Sequence, residues 1–219
     1  MTLVLASRSP RRSDILREMG YTFMVDSADV DETPLAHESP RDHVQRLATA
    51  KCLRVASRHG RNVVVLAADT TVEIDEDILG TPRDTDHARE MLRRLSGRTH
   101  QVHTAVCVTR GTHETSVSSA HGDAHGDAHG DAHDVALDTA SVTMHPIAPV
   151  ALERYLATGE SLDKAGAYAL QGEAGVFVRE LRGERSTVVG LPMPLVRHLL
   201  DRHGVAHAAR GLSPDATHP

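Results

Sequence analysis

Tryptophan is absent from this 219-residue chain, which holds only two phenylalanines and three tyrosines, so a core has to be assembled from Val, Leu, Ala and Ile. Cysteine is equally scarce. Cys52 and Cys107, the only two, sit in apolar contexts without CxxC spacing, which argues against a disulfide framework or a zinc site and fits unpaired buried thiols in a reducing compartment. No run approaches the roughly 18 apolar residues of a membrane span. The start, Met1-Thr2-Leu3, lacks the basic and apolar regions of a secretory leader, so a cytoplasmic protein with no membrane partner is expected. Positive charge is also short, with 24 Lys and Arg against 30 Asp and Glu and a net charge of -6. Nucleic-acid binding needs a basic field that releases counterions, so no nucleic-acid partner is expected, and any anionic ligand must meet cations gathered locally.

Such a gathering is present at the start of the chain. Residues 3–6 are an apolar run long enough for a strand, and Ser9-Pro10 supplies an N-cap hydroxyl and an N1 proline for a helix reaching about Met19, with Gly20 as its stop. Ser7, Arg8, Arg11 and Arg12 therefore fall in a strand-to-helix turn and the first helical turn, where free N–H groups and the helix dipole favour an anion. Two readings fit this segment, a phosphate site or a capped surface helix with solvated arginines.

Residues 21–30 alternate loosely and could form a strand. Ser39-Pro40 repeats the cap signal for a helix to about His59, on whose apolar stripe, Val44, Leu47, Ala48 and Val55, a lysine intrudes at Lys51. A lysine there either meets an anion or snorkels out at an edge. The continuous apolar run 62–68 reads as a strand covered on both faces, ending at Asp69-Thr70-Thr71. Asp69 is then either a carboxylate at the strand end where open α/β sheets place ligands, or a turn residue. Residues 72–78 read as an acidic turn. A helix capped by Asp84 or Thr85 follows, with Ala88, Met91, Leu92 and Leu95 on one face, and residues 101–109 alternate as a strand.

From Ala120 to Asp131 the tetrapeptide Ala-His-Gly-Asp occurs three times, a low-complexity stretch within an insertion at about 112–134. Glycine in every repeat disfavours a helix. The insertion would be the tip of a hairpin whose second strand is 135–145. Beyond it, a short helix is expected from Pro149 to Ala157, a glycine-bearing loop at 163–172, a hairpin of strands 176–181 and 186–189, and a helix opened by Pro192. Residues 206–219 read as a flexible tail after a single two-lobed domain, 1–205.

Five segments in order, Leu5-Ala-Ser-Arg-Ser-Pro-Arg-Arg12, Ala68-Asp-Thr-Thr-Val72, Leu95-Ser-Gly-Arg-Thr-His100, Asp163-Lys-Ala-Gly-Ala-Tyr168 with Gln171-Gly172, and Val188-Val-Gly-Leu-Pro192, give a chain that resembles the Maf family of nucleoside triphosphate pyrophosphatases. The likeness covers all but about residues 110–134 and the tail. It implies an α/β, inosine-triphosphatase-like fold, a long curved mixed sheet with flanking helices forming two lobes around a cleft. It also implies a nucleoside triphosphate substrate cleaved to monophosphate and pyrophosphate, a divalent cation, Mg²⁺ or Mn²⁺, and a homodimer. Carried over by motif, Asp69 is the proton acceptor, Lys51 and Glu32 the basic and acidic cleft residues, and Ser7, Arg11 and Arg12 the phosphate-binding and base-end loop; Glu32 and Asp69 are expected to hold the metal together, because hard Mg²⁺ prefers one or two carboxylates with phosphate oxygens and waters. Arg11, Thr70 and Gln171 match the branch that cleaves thymidine and uridine triphosphates. The alternative function is a nucleotide-binding regulator of cell division and septum formation with weak or no catalysis; a third class is metal storage through the histidine repeat.

The chain departs from the family pattern in three places. Thr81 stands where Gly-Lys-Pro is common, which removes one cleft cation unless Arg83 reaches the same phosphate. Glu184-Arg185-Ser186-Thr187 replaces a segment more often written with Tyr and Asn, and the tetrapeptide repeat has no family counterpart.

Overall fold

The structure is a computed structural model that describes residues 1–113 and 133–207. The tetrapeptide repeat and the tail from residue 208 lie outside the described residues. In chain order the elements are β1 (Thr2–Leu5), α1 (Pro10–Glu18), β2 (Phe23–Val25), α2 (Pro40–Ala56), β3 (Val63–Ile74), β4 (Asp77–Leu79), α3 (Thr85–Leu95), β5 (Thr99–Arg110), β6 (Asp134–Met144), α4 (Pro149–Ala157), β7 (Val178–Arg182), α5 (Arg185–Val189) and α6 (Met193–Arg202). Short 3₁₀ turns fill the stretch between α4 and β7. Among the described residues, no helix is long and apolar enough to cross a membrane.

The strands form one mixed, seven-stranded sheet in the order β2-β1-β3-β5-β6-β7. β1 lies parallel to β2 and β3, while β3, β5, β6 and β7 pair antiparallel in turn. β4 folds back on β3 through a tight turn in which Asp75 and Glu76 take φ of 56° and 65°, the mirror-image turn that suits a twisted hairpin. β1 and β4 thus share one side of β3. β1 pairs with β3 only as far as Leu66 and β4 pairs with it only from Val72 onward, so between them the edge of β3 opens into a cleft.

Alternation along the long strands sorts their side chains into three apolar clusters. On one face Val64, Leu66 and Ala68 of β3 and Val106 and Val108 of β5 pack under α1 and α6, against Leu16, Leu199 and Leu200. Further along that face Val72, Val102 and Val142 pack with Leu92 of α3 and Leu152 and Tyr155 of α4. On the opposite face Val65, Ala67, Ala105 and Cys107 pack against Val44, Ala48, Cys52 and Val55 of α2. Both cysteines are free and buried.

Four expectations need correction. The strand expected at 21–30 is only Phe23–Val25, because its partner β1 is itself four residues long. β3 does not stop at Asp69: it runs to Ile74, since β5 supplies antiparallel partners as far as Glu73↔Gln101. The acidic segment after it is therefore the end of β3, a turn and β4. Residues 185–189 are helix rather than the second strand of a hairpin; Glu184 caps the Ser186 N–H and Gly190, at φ 111°, ends the turn. Finally, Ser9 precedes α1 without capping it, and its own N–H donates instead to Ser7 Oγ at 3.2 Å.

Candidate active site

The open edge of β3 forms the floor of a cavity of about 560 Å³. α1 contributes Arg11 and Arg12, the loop before α2 contributes Glu32, α2 contributes Lys51, and β3 contributes Asp69 and Thr70. From the other side come Thr81, Arg83, Asp163, Lys164 and Gln171. Ser7 lines a smaller adjoining cavity together with Arg12, Glu32 and Lys51. All eight residues singled out in the sequence therefore converge on one region.

At its centre Lys51 Nζ lies 2.5 Å from Asp69 Oδ1 and 2.6 Å from Glu32 Oε1. The side chains of Lys51 and Asp69 are only 14% and 11% exposed, whereas Glu32 is 59% exposed. The stripe of α2 explains the placement: Lys51 sits within the apolar row that packs on the sheet, between Ala48 and Val55, and there meets the carboxylate of a mid-strand aspartate. Of the two readings of Lys51, the structure selects the anion partner.

Arg12 is tied down by three hydrogen bonds from its guanidinium. Its Nε donates to the Gly190 carbonyl at 2.8 Å, Nη1 to Ser7 Oγ at 3.3 Å and Nη2 to Thr70 Oγ1 at 3.1 Å. Burial lowers the pKa of its guanidinium, partly offset by the negative charge of Asp69, yet an arginine remains charged. Arg11 reaches across the cleft to Asp163, with Nη1 3.3 Å from Oδ2 and Nη2 3.5 Å from the backbone carbonyl. Gln171 is exposed at the rim.

Two contributors carried no assigned role in the sequence reading. Lys164 lines the cleft, its Nζ 2.5 Å from both the Glu160 carbonyl and Asp163 Oδ1; a lysine inside a glycine-bearing loop was its only signal. Thr104 shares a face of β5 with Val102, Val106 and Val108, and a hydroxyl in that row of valines was its only signal. Its Oγ1 lies 2.9 Å from Thr70 Oγ1. Arg83 and Thr81 line the same cavity, so a cation stands two residues beyond the position where lysine is common in the resembling family.

A cleft in a mixed α/β sheet, with a nearly buried carboxylate–ammonium pair on its floor and arginines on its walls, defines a protein built to bind and process a polyanion. The chain matches the Maf-like protein family over residues 2–203 and belongs to it. It is 44% identical over 202 residues to the dTTP/UTP pyrophosphatase of Anaeromyxobacter dehalogenans strain 2CP-1, covering 92% of this chain and 94% of that one. It is 43% identical over 203 residues to the dTTP/UTP pyrophosphatase of Myxococcus xanthus, covering 93% of each. Among solved structures, the Ham1 protein of Staphylococcus aureus matches with a TM-score of 0.47 at 13% identity, covering 93% of this chain and 100% of that one.

Proposed function

We propose that the protein hydrolyses dTTP and UTP to the nucleoside monophosphate and pyrophosphate, clearing the nucleotide pool. The observation that carries this is Lys51, locked between Asp69 and Glu32 on the floor of a cleft walled by Arg11 and Arg12. Cleavage between the α and β phosphates asks little covalent work of a protein. It requires an activated water and cations placed against the charge that develops on the phosphates. Asp69 engages Lys51 through Oδ1, which leaves Oδ2 to take the proton of an attacking water as its oxygen bonds to the α-phosphorus and the bridging oxygen departs with pyrophosphate. Lys51, Arg11 and Arg12 hold the phosphate oxygens. At the rim, the neutral amide of Gln171 offers both a donor and an acceptor, which suits the O4 and N3–H edge of a pyrimidine.

The donor set also fits a hard divalent cation. Glu32 and Asp69 point at one ammonium, and Mg²⁺ is commonly held by one or two carboxylates with phosphate oxygens and waters completing its shell. Among the described residues no group of three or more His, Cys, Asp or Glu gathers to hold a metal, so substrate and water would supply the remaining ligands. When bound there, Mg²⁺ or Mn²⁺ would neutralise phosphate charge. The family resemblance supports a homodimer, and the free, buried cysteines support a reducing, cytoplasmic setting.

A panel of nucleoside triphosphates assayed for pyrophosphate release with Mg²⁺ and with Mn²⁺ tests the proposal. Preferential turnover of dTTP and UTP is expected. Tight binding of nucleotides without pyrophosphate release would overturn it in favour of a nucleotide-binding regulator.

A further inference from the structure

The two apolar clusters on the α1 and α3 face of the sheet are separated by a polar row. Thr70, Thr104 and Asp138 are register partners on β3, β5 and β6, and Thr187 of α5 lies over them, its hydroxyl bonded to Asp138 and its carbonyl to Thr104. The direction of every proton in this row can be assigned. A carbonyl only accepts, so Thr104 Oγ1 spends its single proton on the Thr187 carbonyl at 2.7 Å. In the 2.9 Å pair between the two hydroxyls, Thr70 must then be the donor. A guanidinium only donates, so Arg12 Nη2 gives its proton to the Thr70 oxygen. The chain closes on itself, because the Gly190 N–H donates to the Thr187 carbonyl at 3.1 Å while the Gly190 carbonyl accepts from Arg12 Nε at 2.8 Å.

We infer that Thr104 is a positioning residue of the active site, and that Thr70 acts on the substrate through Arg12 rather than by contacting the base. The hydroxyl proton of Thr70 is committed to Thr104, so it has none to offer a pyrimidine carbonyl. The ring instead fixes the plane of the Arg12 guanidinium and leaves one N–H on each of Nη1 and Nη2 for an anionic ligand in the cleft. Thr104 is fully buried and does not line the cleft, so whatever it contributes to turnover passes through this ring.

This inference rests on the pyrophosphatase reading for its kinetic arm, and a second arm is independent of any substrate. Thr104→Val removes the hydroxyl at nearly constant shape, and Thr104→Ser restores it. With dTTP as substrate, Thr104→Val should lower kcat/KM about tenfold, chiefly through KM, and Thr104→Ser should recover most of that loss. Combined with Thr70→Val it should add little, since both break the same ring. In parallel, hydrogen exchange of the Arg12 Nε–H, identified by its loss in Arg12→Lys, should quicken at least about tenfold in Thr104→Val while the Val106 amide of the same strand stays protected. If the wild-type protein releases no pyrophosphate, the functional reading falls and the exchange arm alone decides. A Thr104→Val protein with unchanged Arg12 exchange, or with Arg12 and Val106 exchange raised together, overturns the positioning role.

Discussion

Replacing Asp69 by asparagine separates the chemistry of the site from its architecture. In a fully buried ion pair, stripping one partner costs about 3–5 kcal/mol, because the remaining charge is left uncompensated. Here Lys51 keeps Glu32 at 2.6 Å, and an amide oxygen can still accept from Nζ, so the loss of stability should be nearer ~1–2 kcal/mol, in the range of a single hydrogen-bonded partner. The amide cannot take a proton from water, however, and general-base assistance is typically worth about 10²–10⁴ in rate. The variant should therefore melt within a few degrees of the wild type and bind dTTP with similar affinity. Its kcat for pyrophosphate release should fall by about a hundredfold or more, within the range for loss of a base. Turnover close to wild type in a folded, nucleotide-binding variant would falsify the assignment of Asp69 as the base.

Gly190 sits at φ 111°, and a Cβ there would stand 3.1 Å from Thr70 Oγ1 and 3.5 Å from Arg12 Nε. Gly190→Ala should cost ~1–3 kcal/mol from backbone strain alone and raise KM as well, read by thermal melting and kinetics; an unchanged melting temperature would contradict the geometry. Burial holds the pKa of the His100 imidazole, bonded to the Tyr168 hydroxyl at 2.8 Å, down at about 4 from 6.5. The unfolded chain then protonates first as pH falls. Stability contributed by the neutral ring is thus full above pH 6.5 and declines down to about 4, a loss on the order of 3 kcal/mol that levels off below. Urea titrations across that window should show the slope, and His100→Gln should flatten it. Gln171→Glu should reduce kcat/KM for dTTP and UTP by about ten- to a hundredfold; an equal loss for methylguanosine triphosphate would show that Gln171 does not read the base.

Much of this arrangement was legible in the residues. The cap at Ser39 and the apolar stripe of α2 placed the helix and exposed Lys51 as an intruder, and the span of α4 agrees with the expected 149–157. What escaped notice depends on pairing rather than on local chemistry. Asp69-Thr70-Thr71 reads locally as a turn, and only the partners offered by β5, more than 30 residues away, keep it in a strand. Residues 186–189 are β-branched enough to pass for a strand, yet the Glu184 cap and Gly190 close them into a turn of helix. Thr104 showed only a hydroxyl in a row of valines, because nothing in a single strand reports which hydroxyl will stand opposite it. Local propensity finds elements; register decides which polar groups meet.

β3 and β5 each run twelve residues, and each passes beneath both apolar clusters of the α1 and α3 face without interruption. A hinge between these clusters would have to bend both strands at the row of Thr70 and Thr104, where hydroxyl bonds take the place of packed methyl groups. Such a sheet behaves as a shared beam: it resists swinging of one cluster about the other, and loosening of one strips support from its neighbour. Nucleotide binding at the midpoint of that beam would then brace the whole, raising resistance to heat, denaturant and protease at both ends of the molecule together.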